Sequence, residues 1–72
     1  MRSFDDGRGC QWQAAVLDAS YGSMLLVFSH AGDGEVRQLA MAAENLWLAE
    51  QQLADMDELQ LREQLAASVP WG

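Results

Sequence analysis

Seventy-two residues carry eleven carboxylates against four arginines, with no lysine, one histidine and one cysteine, for a net charge of −7. A chain this short makes one domain and buries only about 60% of the surface its unfolded form exposes, so its core is thin. The inventory excludes an internal disulfide, a cysteine–histidine zinc site, lysine Schiff-base chemistry and the lysine-bearing phosphate loop. The charge argues against nucleic-acid backbones and anionic membranes as partners.

Half the residues are apolar, enough for one packed core and too many for a disordered tail. No uninterrupted apolar stretch, Met24 to Phe28 included, approaches the roughly 20 residues a membrane helix needs. The opening Met1-Arg2-Ser3-Phe4-Asp5-Asp6 lacks the apolar run of a secretory signal. Together with a free thiol, these features lead us to expect a cytoplasmic protein.

Ser3 and Phe4 begin a short strand before Asp5-Asp6-Gly7-Arg8-Gly9, whose glycines suit a tight hairpin. Cys10, Trp12, Ala14 and Val16 then alternate with Gln11, Gln13, Ala15 and Leu17, a strand of period two with Trp12 over the core. Asp18 to Ser23 reads as a turn. Met24-Leu25-Leu26-Val27-Phe28 is apolar on both faces, the mark of a central strand covered on at least part of each side. Ala31-Gly32-Asp33-Gly34 turns again, and Glu35 to Met41 alternates with charge, as an edge strand does. Short turns between strands predict an antiparallel meander.

Near Met41 the rhythm changes. From Ala43, Leu46, Ala49, Leu53 and Met56 share one helical stripe, with Trp47 at its border. A break falls at Asp55-Met56-Asp57, where Asp57 and Gln60 fit a capping box and Met56 and Leu61 a hydrophobic staple. Leu61, Leu65 and Val69 then line one face, flanked by Leu59 and Ala66, and Pro70 ends the helix at or before Val69. The fold class expected is α+β: a three- to four-stranded antiparallel β-meander over 1–41, then two C-terminal α-helices over 42–69 packed on one face.

Chemistry is sparse. Cys10 and His30 form a thiolate pair only if neighbouring strand ends bring them together; otherwise each has an ordinary role, on a strand and at a turn. Tyr21-Gly22-Ser23 lacks the second glycine of a nucleophile elbow. Asp5-Asp6-Gly7 and Asp33-Gly34 begin like calcium loops but do not continue as one, and turn formation accounts for both. We expect no enzyme, no cofactor and no metal.

The charge is polarised. Arg2, Arg8 and Arg37 lie in the strand half. Between Glu44 and Glu63, six carboxylates accompany only Arg62, leaving about five excess negative charges. That face, with a tryptophan as anchor, suits a basic protein partner. The candidate partner-binding residues are Trp47, Trp71, Glu50, Asp55 and Glu58. Self-association belongs to the same class: an edge strand near Val36 to Leu39 pairs across a two-fold axis to give a homodimer. The alternative functions are an acidic nucleic-acid mimic, which needs carboxylates in two rows at phosphate spacing, and a small hydrolase or thiol enzyme using Cys10 and His30. Phe4-x-Asp6-x-x-Gly9-x-x-Trp12 followed by a meander and an acidic leucine-rich tail resembles short bacterial proteins without an assigned activity. That resemblance implies no site.

Overall fold

The computed structural model describes residues 2–19 and 23–71. Four strands follow one another as β1 (Arg2–Asp5), β2 (Gln11–Asp18), β3 (Met24–His30) and β4 (Val36–Met41). Each pairs antiparallel with the next, giving the expected meander. The first hairpin turns where the paired glycines stand, with Gly7 at φ 90° and Gly9 at φ 85°, values that L side chains rarely adopt. Asp5 Oδ1 accepts the Gly7 N–H at 2.6 Å, and Asp6 Oδ1 accepts the Arg8 N–H at 2.7 Å. The centre of the second turn, residues 20–22, lies outside the described residues. At the third, His30 Nδ1 accepts the backbone N–H groups of Gly32 and Asp33 at 3.0 and 3.1 Å.

The helical half divides as the spacing predicts, into α1 (Leu46–Asp55) and α2 (Glu58–Ala67). Asn45 caps α1, accepting the Leu48 N–H at 2.8 Å, so the helix begins later than Ala43. The capping box at α2 is complete. Asp57 Oδ1 accepts the Gln60 N–H at 2.8 Å, and Gln60 Oε1 accepts the Asp57 N–H at 3.1 Å. Two satisfied N-terminal donors, with extended backbone at Met56 and Asp57, make the break sharp.

Two expectations are corrected at the C-terminus. The helical part does not run to residue 69: α2 stops at Ala67, and Ser68 is extended. Val69 therefore leaves the leucine face and joins Pro70 in a fifth strand, β5 (Val69–Pro70). It pairs with β4 through Gln38↔Val69 and Arg37↔Pro70, and the Trp71 N–H donates to the Val36 carbonyl at 2.9 Å. Proline is tolerated there because β5 is an edge strand. As a result the sheet has the order β1-β2-β3-β4-β5, and β4 is not its edge. Self-pairing through Val36 to Leu39 is excluded over the part that β5 and Trp71 already occupy.

Phe4, Trp12, Ala14, Leu26 and Phe28 from the sheet meet Leu53 and Leu61 from the helices in one buried cluster. Phe4 sits edge-on to Phe28 with ring centroids 5.9 Å apart. Two arginines fasten the helices to β1. Arg2 donates to the carbonyls of Leu53, Ala54 and Met56 at 3.1, 3.1 and 2.9 Å, closing the C-terminal end of α1. Arg62 Nε donates to the Asp5 carbonyl at 2.7 Å. The shortest principal extent is 18 Å, which leaves room for one helical layer and one sheet.

Asp6 knots the first hairpin to the core. Besides the Arg8 N–H, its carboxylate accepts the Trp12 indole N–H at 3.2 Å and the Cys10 N–H at 3.4 Å. The Arg8 N–H above all holds its pKa below the ordinary 3.8; partial burial opposes this, and the Trp12 and Cys10 donors and the Arg8 charge assist it. A depressed folded pKa means stability present above the ordinary value and lost as pH falls through the folded one. Wild type should therefore outlast Asp6→Asn in urea at neutral pH, with its advantage shrinking as the solution is acidified below about pH 4. Urea midpoints at several pH values check this. A constant gap would show that the charged form is not what matters.

Candidate functional site: the bare face of the sheet

Alternation along each strand sends Trp12, Ala14, Leu26 and Phe28 toward the helices and their neighbours the other way. The register aligns those outward residues in rows. Ala15, Val27, Gln38 and Val69 form one; Leu17, Leu25 and Ala40 form the next. Gln13, Ser29 and Val36 form a third, which Trp71 extends through its bond to Val36. None of these side chains is charged. Among the described residues nothing lies over them except Trp71 itself.

The indole of Trp71 forms one wall of a shallow apolar groove of about 260 Å³, whose other walls include Ala15, Leu17, Val27 and Val36. Trp71 is 49% exposed and Leu17 44%, so the groove is apolar and still wet. The sequence pattern of β3 requires cover on both faces, and the helices supply it on one. Leu25 and Val27 are left half-exposed on the other.

The remaining candidates do not gather around Trp71. Trp47 stands on α1, 66% exposed, in the opposite layer. Glu50 flanks a groove between α1 and β2 that also contains Arg2, Ala15 and Val16. Asp55 closes α1. Glu58 is engaged within the molecule, accepting the Asp5 N–H at 3.2 Å and an Arg62 N–H at 3.3 Å. Glu50 and Asp55 are five residues apart on α1, as are Glu58 and Glu63 on α2, so the members of each pair project about 140° apart around their axes. The carboxylates radiate and do not line up in rows.

His30 is held at the turn by its two backbone donors and stands edge-on to Trp12 with centroids 4.8 Å apart. Cys10 is half-buried against the core. Among the described residues no three His, Cys, Asp or Glu side chains stand together as a metal site, and no helix is long and apolar enough to cross a membrane.

The fold and this surface define a class: a two-layer α+β domain with helices on one face of an antiparallel meander and an uncovered second face, uncharged across β2, β3 and β4, with Asp5 of β1 at its margin. No protein-family model, curated protein or solved structure matches the chain. The bare face was hidden in the sequence because Leu17, Leu25, Val36 and Trp71 meet only through the strand register. The one signal for it was the two-sided apolar run Met24 to Phe28.

Proposed function

We propose that the protein is a non-enzymatic interaction module whose contact surface is the bare sheet face, and that the occupant of that face is a second copy of the chain. The observation that carries this reading is the absence of charge from the outward rows of β2, β3 and β4 in a chain of net charge −7. A basic partner would gain nothing from such a surface, whereas a like-charged copy meets no repulsion there. Face to face, two copies would set their acidic helical layers roughly 30 Å apart, beyond three Debye lengths of about 8 Å at physiological salt.

Area sets the strength. The five strands hold 4, 8, 7, 6 and 2 residues, which at ~3.3 Å along and ~4.8 Å across the sheet offer a footprint of roughly 430 Å² per copy. The total, roughly 860 Å², falls below the ~1,200 Å² of stable specific interfaces and among weak, transient ones, so a weak, concentration-dependent dimer is expected. Sedimentation equilibrium from about 1 to 500 µM should show the mass rising toward two chains. Leu17→Asp places a charge in the groove at an already exposed position. It should weaken association at least ~100-fold, since an unpaired buried charge costs several kcal/mol, while leaving the circular dichroism unchanged. A mass of one chain throughout the range would overturn the proposal, as would a dimer indifferent to Leu17→Asp.

The carboxylates point in too many directions to support a nucleic-acid mimic. His30 Nδ1 already accepts two backbone N–H groups, which leaves little support for a thiol enzyme built on Cys10.

A further inference from the structure

The helical side of the molecule carries a second feature. Arg8, Arg37 and Arg62, three of the four cations in the chain, border one open cleft of about 280 Å³. They come from the β1–β2 turn, β4 and α2, so topology alone unites them. Converging like charges is costly unless something negative offsets it.

Two carboxylates line the cleft and a third, Glu58, pairs with Arg62 at 3.3 Å, so the charges balance in number, but each carboxylate is already committed. Asp6 accepts three N–H donors, and Glu35 pairs with Arg37 at 3.2 Å. Arg37 and Arg62 each spend part of their fork on the fold. Arg37 donates to Ser68, and Arg62 to the Asp5 carbonyl and Glu58, which leaves other N–H groups of each guanidinium without a hydrogen bond among the described residues. Arg8 makes no side-chain hydrogen bond or ion pair among them at all. Behind these groups lie the edge of Trp12, with Leu65 and Ala66.

We propose that this cleft binds a small organic oxyanion, a carboxylate or a phosphate monoester, with Arg8 as the arm that closes on it. Guanidinium forks match either group in bidentate fashion. The wall formed by Trp12, Leu65 and Ala66 accepts a compact apolar body, so an aromatic or branched anion binds better than a bare one. The cleft holds a handful of heavy atoms beyond the anionic head, the scale of a single side chain or a peptide terminus.

The test follows the guanidinium Nε–Hε signals of all four arginines by NMR at constant ionic strength, with Arg2 as internal reference. Acetate, benzoate, inorganic phosphate and phenyl phosphate are titrated separately. At least one should give saturable shifts at Arg8, Arg37 and Arg62 but not at Arg2, with the aromatic member of each pair binding several-fold tighter. The carboxylate and phosphate arms show which head group the site prefers. Arg8→Ala removes no bond of the fold and should weaken binding about tenfold or more, the worth of one charge-assisted contact. Linear shifts shared with Arg2, or saturable shifts unchanged in Arg8→Ala, would overturn the proposal. Because Leu17→Asp leaves the cleft intact, running the titration on that monomeric variant separates failure here from failure of the dimer.

Discussion

Replacing Leu61 by alanine is expected to lower the melting temperature by roughly 15–25 °C, the largest effect of any single truncation on the helices. Leu61 is completely buried and belongs to the same core cluster as Phe4, Trp12 and Phe28. Truncating a buried leucine costs about 3–5 kcal/mol, transfer and cavity together. A domain of this length has only about 4–10 kcal/mol in hand, so the variant should be partly unfolded at body temperature. Leu59, two residues earlier on the same helix, is mostly exposed. Leu59→Ala should therefore shift the melting point by no more than a few degrees. Thermal scans of the two variants compare one leucine with another on one helix. Equal losses would mean that α2 does not lie on the sheet as described.

The contrast between those leucines also shows where sequence reading falls short. Spacing places Leu61 on the apolar face with Leu59 flanking it, but the two lie about 200° apart around the axis and the structure leaves Leu59 exposed. Turns were legible: Gly7, Gly9 and the Asp57–Gln60 box act within a few residues, and local chemistry decides them. Trp12 declared itself through strict alternation. What the chain did not disclose was long-range. β5 is two residues long and ends in proline, so no periodicity marks it. It exists because β4 lies alongside and Arg37 holds the approach to it. The rank of β4 as an inner strand follows from the same event. The bare face and the arginine cleft likewise arise from strand register and helix placement, since residues 8, 37 and 62 are far apart in the chain. Half the clue to the bare face was present, in a β3 apolar on both sides. The missing half was that both helices go to one side.

Arg37 joins those two surfaces, and removing its guanidinium should disturb both. Its side chain lies on the helical side of β4, mostly buried. Nε donates to Ser68 Oγ at 2.8 Å and one terminal nitrogen to the Ser68 carbonyl at 2.6 Å, while the other reaches Glu35. Ser68 is itself buried and ends α2, its N–H and hydroxyl both bonded to the Leu65 carbonyl. The fork thus clips the end of α2 to β4, and the next three residues are laid down as β5 and Trp71. Glutamine in its place reaches at most one of these acceptors and carries no charge. Arg37→Gln is expected to cost about 2–4 kcal/mol, the loss of charge-assisted bonds plus a buried carbonyl left unpaired. Lysine keeps the charge but not the planar fork, so Arg37→Lys should recover less than half of that loss. With fluorine-labelled tryptophans, the Trp71 resonance should move toward its solvent-exposed position in Arg37→Gln while that of Trp47, on α1 and away from both surfaces, stays in place. The dimer should weaken with it, since Trp71 walls the groove. If Trp71 holds its shift, then the Val36 bond and apolar contact suffice to seat it, and the clip serves the helix alone.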